Sequence, residues 1–251
     1  MSNKNSNYQI SSASIAGIKK VNEDACWVGC NSHKQCLSIV CDGIGSEEGS
    51  ENVSRFVVEF FQQEFVNTRK ILFVDSWFKK TLDACFKALK TRYLKTVNHM
   101  GTTLIVAIVS KHNVYCYHIG DSRLYYYSKQ TNNWTKKTTD HNLYNLYQRT
   151  HAPEAVYLKN KDKLLSLTNY IDSQTDKFMK YTACKFKVKA GDNILLCSDG
   201  LYNYLRISKI ANLISLCQEE DFGAIATKLV QEALLNGSND NITSVLIEIN
   251  K

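Results

Sequence analysis

The chain has 251 residues, 44% of them hydrophobic, and a formal net charge of +7 at pH 7, a composition typical of a globular protein. The charge is not gathered into a dense block of lysine and arginine, which argues against a nucleic-acid partner. The sequence has no apolar run of the roughly 18 residues that span a membrane, and its N-terminus lacks the apolar stretch of a signal peptide. We therefore expect a cytoplasmic protein without membrane contact.

The first third of the chain predicts two strands followed by two helices. The polar N-terminal segment, residues 1–14, is expected to be loose. Residues 24–30 and 36–41 predict consecutive strands around a polar turn. Apolar residues at three- and four-residue steps then predict amphipathic helices over 50–66 and about 75–97.

The periodicity changes after the second helix. The β-branched run 102–110 and the alternating segment 113–127, which is interrupted at Gly120-Asp121-Ser122, predict strands. Residues 140–180 are polar and weakly patterned, so we expect a loop-rich insertion. Further strands are predicted at 184–189, 193–198 and 242–249, and further helices at about 207–217 and 221–236. Helices grouped in pairs between runs of strands favour a single α+β domain over a βαβ crossover fold.

Acidic residues recur at the boundaries of five predicted strands. They are Glu23-Asp24, Asp42, Asp121, Asp199 and Asp240. At any one position a turn or cap is the simpler explanation, because aspartate hydrogen-bonds its own backbone. Five such boundaries favour convergence at one edge of the sheet, where charged carboxylates need a cation to stay close. Oxygen ligands without histidine or thiol partners indicate Mg²⁺ or Mn²⁺ rather than zinc.

Two other kinds of site have weaker support. The glycines after Asp42 do not form the G-x-G-x-x-G loop that cradles a nucleotide phosphate. Cys26, Cys30, His33 and Cys36 are spaced somewhat like zinc ligands, but only half of the usual paired pattern is present. Two strands joined by a polar turn explain these cysteines more simply.

Several short motifs occur in a fixed order along the chain. They are NEDA (22–25), VCDGIGSEEGS (40–50), GTT (101–103), HIGDSRLY (118–125), TTDH (138–141), LLCSDGLYNYL (195–205) and GSNDNIT (237–243). Together they resemble the metal-dependent protein phosphatases, the type 2C serine/threonine phosphatase family, and its compact bacterial members most closely. The resemblance extends over about residues 15–249. It implies one phosphatase domain, a four-layer α-β-β-α sandwich of two central antiparallel sheets flanked by helix pairs, with a flap-like insertion at about 142–182.

The resemblance also implies a centre of two divalent cations, Mn²⁺ or Mg²⁺. Asp42 matches the acid that bridges both metals, and the carbonyl of Gly43 matches a ligand of the second. Asp199 and Asp240 match the acids that complete the first. Glu23 matches a residue that holds a metal through water, and Asp24 matches a supporting acid beside it. Asp121 matches an acid of a third metal site.

The implied reaction is hydrolysis of phosphoserine or phosphothreonine in a protein by a hydroxide that bridges the metals, without a protein nucleophile. The implied partner is a phosphorylated protein whose phosphate a serine/threonine kinase has added, and we expect a monomer.

The chain departs from the family pattern at several positions. Lys19 stands where the family commonly has an arginine that contacts the substrate phosphate, and lysine supplies the charge without the bidentate fork. Ser46 replaces a glycine, Asn203 an acid, and Ile44 a histidine of some eukaryotic members. These changes leave open an alternative, a degenerate non-catalytic module that binds phosphoproteins or acts as a regulatory scaffold.

Three other polar residues of the motifs are expected to be structural. His141 in TTDH is expected to be held by neighbours at a strand end rather than to act in catalysis. Ser122 and Arg123 in GDSR are expected to organise a turn.

Overall fold

The computed structural model of the protein describes residues 7–45, 49–93, 100–172, 180–218 and 221–250. Its strands are β1 (Tyr8–Ile15), β2 (Ala25–Cys30), β3 (Cys36–Cys41), β4 (Gly43–Ile44), β5 (Gly101–Thr102), β6 (Leu104–Ser110), β7 (Asn113–Ile119), β8 (Arg123–Ser128), β9 (Asn133–Lys136), β10 (Ile171–Asp172), β11 (Thr182–Lys187), β12 (Asn193–Cys197) and β13 (Ile242–Ile249). Its α-helices are α1 (Ser50–Asn67), α2 (Val74–Tyr93), α3 (Leu143–Thr150), α4 (Glu154–Lys159), α5 (Asp199–Tyr202), α6 (Ile207–Gln218) and α7 (Ile225–Leu235). Single 3₁₀ turns lie at Lys161–Lys163 and Phe222–Ala224.

Two five-stranded antiparallel sheets form the centre of the fold. The first sheet has the order β1-β13-β12-β8-β9, and the second has the order β11-β7-β6-β3-β2. A small third sheet, β10-β5-β4, consists of two-residue strands. The chain passes from the second sheet to the first at Gly120-Asp121-Ser122, between β7 and β8. The predicted interruption of the long alternating segment is therefore the point where the chain changes sheets.

Three apolar layers hold the sheets and helices together. Phe61 and Phe78 belong to the layer between helices α1 and α2 and the second sheet. Ile105 and Leu196 lie between the two sheets, and Leu229 of α7 lies in the layer that covers the outer face of the first sheet. This arrangement confirms the predicted four-layer sandwich of two antiparallel sheets flanked by helices.

The pattern of buried residues explains why the sequence predicted most elements correctly. In α1, apolar residues at four-residue steps, Val53, Val57, Phe61 and Phe65, are all buried. Every residue of β3 is buried, since one face meets α1 and the other meets the first sheet. Such a strand is recognisable as a continuous apolar run. Of the helices that the structure describes, none has both the length and the apolar character of a membrane-crossing segment.

The expectation that residues 1–14 are loose is wrong for the part that the structure describes. Strand β1 pairs with β13 along its whole length, from Tyr8 opposite Ile249 to Ile15 opposite Ile242. The serines in β1 interrupt the apolar alternation by which a strand is recognised in a sequence. The hydroxyl of Ser11 is nevertheless hydrogen-bonded within the fold. It donates to the Gly223 carbonyl at 2.7 Å and accepts from the Ala226 amide at 2.9 Å. Residues 1–6 lie outside the described residues.

The predicted loop-rich insertion contains more regular structure than expected. Helices α3 and α4 and a 3₁₀ turn lie within it, and the side chain of Asn142 caps α3 by accepting the Asn145 amide at 3.0 Å. These helices have eight and six residues, too few to show a clear helical period. Residues 173–179 lie outside the described residues, and the flap-like role of the insertion stays a prediction. The predicted helix end beyond Tyr93 and the departure at Ser46 also lie outside them.

A substitution in β1 tests whether this strand is part of the folded domain. Tyr8→Ala is expected to lower the free energy of unfolding by about 3–5 kcal/mol, because the ring is only 2% exposed and its loss leaves a cavity. The Tyr8 hydroxyl also donates to the Lys34 carbonyl at 2.8 Å. Gln9→Ala, at the half-buried neighbouring position, is the control and is expected to cost below about 1 kcal/mol. Urea unfolding followed by circular dichroism measures both, and equal small effects would mean that β1 contributes nothing to the core.

Candidate active site

The antiparallel topology gathers the predicted acids at one end of the sandwich. Ala25 lies opposite Cys41, so the acids before β2 and after β3 are neighbours. Cys197 lies opposite both Ser244 and Arg123, which brings the end of β12 next to the starts of β13 and β8. Glu23, Asp24, Asp42, Asp121, Asp199 and Asp240 therefore share one edge of the fold.

Asp42 is surrounded by the other aspartates. Burial raises the pKa of Asp42 well above its usual range, and the charges of four carboxylates add to the effect: Asp24, Asp199, Asp121 and Asp240. Burial and the charge of Asp240 also raise the pKa of Asp199, while a hydrogen bond with the Asp42 carboxyl acts in the opposite direction. Asp42, predicted to bridge the metals, and Asp199, predicted to hold the first metal, are thus close enough to shift each other's pKa.

Asp24 is a buried acid with one oxygen held and one unpaired. Its Oδ2 accepts hydrogen bonds from Ser198 Oγ at 2.7 Å and Thr243 Oγ1 at 2.6 Å. Its Oδ1 has no hydrogen-bond partner among the described residues. Burial raises the pKa of Asp24 to about 7 against the effect of both hydroxyls. A buried carboxylate oxygen without a donor is costly, which favours a site that receives a cation nearby.

One threonine connects the turns that carry Asp42 and Asp121. Thr103 Oγ1 accepts the Asp42 amide at 2.9 Å and shares a 2.8 Å hydrogen bond with Ser122 Oγ. Gly120 has φ +104°, and a Cβ there would lie 2.6 Å from the Thr103 methyl group. Burial and the charge of Asp199 raise the pKa of Asp121 to about 7. Asp121 thus faces the other acids as predicted.

Glu23 and Gly43 are held together through the backbone. The Gly43 amide donates to the Glu23 carbonyl at 3.2 Å, and the Ser50 hydroxyl donates to Glu23 Oε1. A Cβ on Gly43 would lie 2.6 Å from the Glu23 carbonyl oxygen, so this close approach requires glycine. The Glu23 amide donates in turn to Asn241 Oδ1 at 3.0 Å.

Lys19 lies against the acids instead of projecting freely. Its ammonium forms ion pairs with Asp240 Oδ1 and, at 3.5 Å, with Glu23 Oε2. Burial alone would lower the pKa of Lys19, but the hydrogen bond and charge of Asp240 raise it, so the side chain is cationic. Asn241 fixes the loop that carries Lys19 by donating to the Ala16 carbonyl at 3.0 Å and the Val21 carbonyl at 2.9 Å.

The donor set fits divalent cations that prefer oxygen. Within the described residues no three Asp, Glu, His or Cys side chains converge closely enough to form a ready-made metal site. The aspartates are nonetheless close enough to shift one another's pKa, and they offer only oxygen atoms. Asn203, which stands in place of an acid, lies with its Nδ2 3.4 Å from Asp199 Oδ2. The individual roles of these residues toward each metal stay predictions.

Comparison with known proteins agrees with this geometry. The chain matches the family described as Protein phosphatase 2C over residues 14–236. The chain belongs to the protein phosphatase 2C family. A Mycoplasma pneumoniae relative with a protein-phosphatase name is 34% identical over 260 residues, which cover 99% of this chain and 98% of the relative.

Solved structures of protein phosphatases share the fold. The serine/threonine phosphatase Stp1 from Staphylococcus aureus is 26% identical, with a TM-score of 0.82 over 96% of this chain and 95% of that one. The catalytic domain of the phosphatase PstP, in complex with two manganese ions, is 22% identical, with a TM-score of 0.79 over 98% of this chain and 99% of that one.

Sequence reasoning missed the polar residues that hold the acids of this phosphatase-family site. They are Ser50, Thr103, Ser198, Asn241 and Thr243. Each lies within a motif that was already recognisable, next to or near an acid. The sequence does not show which motifs these residues bridge, because Ser198 and Thr243 meet Asp24 across more than 170 positions of chain.

His141 links the Gly120–Asp121 turn to the insertion, as expected for a residue held by its neighbours. Its Nδ1 accepts the Gly120 amide at 3.1 Å and lies 3.1 Å from Asn169 Nδ2, while its carbonyl accepts the Thr168 amide at 2.8 Å. Because the backbone amide can only donate, the ring is neutral with its proton on Nε2. Burial and the charge of Arg149 lower the pKa of His141, which favours that neutral form.

The Arg123 side chain has several partners within the fold, and its predicted part in organising the turn stays a prediction. Its guanidinium donates to the Asp140 carboxylate, with Nη2 and Oδ2 2.7 Å apart, and lies 3.5 Å from the centre of the Tyr202 ring. Ser122 shares its hydrogen bond with Thr103, as described above. Ser122 thus fixes the turn around Asp121, whereas the guanidinium of Arg123 binds Asp140 and Tyr202 outside that turn.

Replacing His141 tests whether it positions the Asp121 turn. His141→Leu removes the acceptor at Nδ1 and is expected to reduce kcat toward a phosphothreonine peptide by up to about 30-fold, since two hydrogen bonds worth about 1 kcal/mol each are lost. His141→Asn offers an oxygen near the same point and is expected to stay within about threefold of the parent, given the same energies. Equal losses in both variants, or a loss explained by lowered thermal stability, would contradict a positioning role.

Proposed function

We propose that this chain is a metal-dependent protein serine/threonine phosphatase that hydrolyses phosphoserine and phosphothreonine. The observation that carries the proposal is the cluster of mutually repelling carboxylates around Asp42, with the unpaired Oδ1 of Asp24 at its buried side. Membership of the protein phosphatase 2C family and the manganese ions of PstP support it.

Two divalent cations, Mn²⁺ or Mg²⁺, are the proposed cofactors. Asp42, the Gly43 carbonyl, Asp199 and Asp240 would hold them, with Glu23 through water and Asp121 at a third position. When bound, they supply Lewis-acid activation of water and neutralise the phosphate charge. Asp24 is proposed to support these ligands from the buried side, through its hydrogen bonds with Ser198 and Thr243.

The chain's own residues orient the phosphate and do not supply a nucleophile. Lys19 is proposed to contact the substrate phosphate from its place beside Asp240 and Glu23, where its ammonium is half-exposed. Cys41, the thiol next to Asp42, is fully buried in the layer beneath α1. Burial raises the pKa of the Cys41 thiol well above its usual range, so it is unsuited to attack phosphorus.

The non-catalytic alternative gains no support from the site. Acids occupy all five strand boundaries. The departures exchange an arginine for another cation, Lys19, and an acid for an amide, Asn203, and they leave Asp42, Asp199 and Asp240 in place. We propose further that a serine/threonine kinase opposes this enzyme, since only a kinase supplies phosphoprotein substrate. We also propose a cytoplasmic monomer; the cysteines of the described residues are free thiols, which suits a reducing compartment.

Substitution of the proposed metal ligands tests the reaction. Asp42→Asn and Asp199→Asn are each expected to reduce manganese-dependent release of phosphate from a phosphothreonine peptide by more than about 100-fold, because changes outside the ligand set alone typically cost about 10–100-fold. Asp221→Asn is the matched control, since Asp221 only caps the 3₁₀ turn at Phe222–Ala224, and it is expected to leave the rate unchanged.

Calorimetric titration with Mn²⁺ separates the two candidate functions. Metal binding together with phosphopeptide turnover supports the phosphatase. Metal binding without turnover of any phosphopeptide would favour the non-catalytic module, and full activity of both variants in the presence of a chelator would overturn the proposed mechanism.

A conservative exchange tests the role of Lys19. Lys19→Arg restores a bidentate donor and is expected to lower the KM for a phosphopeptide by at least about tenfold, because charge-assisted hydrogen bonds contribute about 1.5–3 kcal/mol. Lys20→Arg, at the exposed neighbouring position, is expected to leave KM unchanged. A lower KM in the Lys20 variant alone would mean that Lys20, and not Lys19, contacts the phosphate.

A further inference from the structure

Two cysteines lie directly opposite each other on neighbouring strands, away from the metal centre. In the register of β11 and β7, Cys184 pairs with Cys116. Directly opposed residues of an antiparallel pair have Cα atoms about 4.5–5.5 Å apart, and a disulfide accepts Cα separations of about 4.4–6.8 Å. The pair can therefore form a disulfide without a large movement of the backbone.

The two thiols differ in how well a small reagent can reach them. Cys116 is 1% exposed and belongs to the apolar layer between the two sheets. Cys184 is half-buried on β11, which is the edge strand of the second sheet. A reagent from solvent thus meets Cys184 first, with Cys116 directly behind it.

Cys184 lies beside Lys137. Its thiol donates a hydrogen bond to the Lys137 carbonyl at 3.7 Å, a contact that favours the protonated thiol. The Lys137 ammonium lies 5.1 Å from the ring of Phe186, two residues further along β11, and 5.1 Å from the ring of Tyr126. A hydrogen bond with Cys116, aided by the charge of Lys137, lowers the pKa of Cys184 to about 7, although burial acts in the opposite direction. The same hydrogen bond, together with burial, raises the pKa of Cys116.

The other described cysteines provide a contrast within the same molecule. Burial raises the pKa of Cys41, Cys85 and Cys197. Cys30 and Cys36 also lie directly opposite each other, in β2 and β3. There the inner member, Cys36, is fully buried, and burial raises its pKa. This second pair has the geometry of a cross-strand disulfide and serves as the comparison within the molecule.

We propose that Cys184 and Cys116 form a peroxide-reactive dithiol, in which Cys184 is oxidised first and Cys116 resolves it as a disulfide. The Cys184 thiolate attacks one oxygen of hydrogen peroxide, the O–O bond breaks, and the leaving hydroxide takes up a proton to become water. Cys184 is then a sulfenic acid. The Cys116 sulfur attacks the Cys184 sulfur, the S–S bond forms, and the hydroxyl of the sulfenic acid leaves with the Cys116 proton as a second water. Two thiols are oxidised and one peroxide is reduced to two waters.

This modification site is independent of phosphate hydrolysis. None of the residues around Cys184 belongs to the proposed metal ligands, and the paired cysteines lie within strands whereas the acids lie at strand ends. The oxidation can therefore be measured on the full chain without metal or substrate.

Peptide mapping after oxidation tests the proposal. The full-length protein, freed of metal with a chelator, is treated at pH 7.5 with hydrogen peroxide, unfolded in an alkylating reagent, digested and analysed by mass spectrometry. The expected first product is a peptide pair linked through Cys116 and Cys184. A link between Cys30 and Cys36 that forms earlier, or peroxide consumption with both Cys116 and Cys184 still alkylatable, would overturn the proposal.

Single substitutions test the order of the two steps. Cys184→Ser is expected to slow peroxide consumption at least about tenfold, as expected when the activated thiolate is lost. Cys116→Ser is expected to leave Cys184 as a sulfenic acid that a dimedone probe labels. Cys36→Ser is the matched control, and the Cys116–Cys184 link is expected to form at the parent rate. If dimedone labels Cys116 in the Cys184→Ser variant as fast as the disulfide forms in the parent protein, the assigned order of the two steps is wrong. Circular dichroism verifies that each variant is folded.

Discussion

Carboxylates of this protein repel one another at one end of the sandwich, and the surrounding elements hold them there. Burial and the neighbouring charges raise the pKa of Asp42, Asp24 and Asp121 above their usual range. Such a cluster is costly to fold unless donors or cations offset it. Hydroxyls of Ser198 and Thr243 and the ammonium of Lys19 offset part of the cost, and the remaining negative charge is what makes the site suited to divalent cations.

The antiparallel sandwich is the framework that makes this concentration of charge geometrically possible. Antiparallel strands place the end of one beside the start of the next, so residues far apart in sequence meet at one edge. The three apolar layers stabilise the strands up to that edge, and their packing provides the free energy that holds the acids in place. The motifs thus carry the chemistry, while the apolar runs between them determine where the motifs meet.

Apolar periodicity and acids at strand boundaries are local signals, and they predicted an α+β fold and an edge at which the acids gather. The four layers were implied only by the resemblance of the ordered motifs to a known family. The sequence did not predict β1, where the hydroxyl of Ser11 is hydrogen-bonded to a 3₁₀ turn and a helix more than 200 residues away in the chain. It also did not predict that Lys19 pairs with Asp240, since the ion pair depends on how Asn241 fixes the loop of Lys19. Pairings between motifs are properties of the tertiary structure, and no local pattern contains them.

Hydrogen bonds and one packing contact connect the turn of Asp42 to the base of the insertion. The Asp42 amide donates to Thr103, Gly120 packs against the side chain of Thr103, and His141 binds Gly120 through both its ring and its backbone amide. The His141 carbonyl then accepts the Thr168 amide at the base of the insertion. Residues of the recognisable motifs thus join the base of the insertion to the turns of Asp42 and Asp121 through direct contacts. The insertion is tied to the site by these contacts, although none of the predicted metal ligands lies within it.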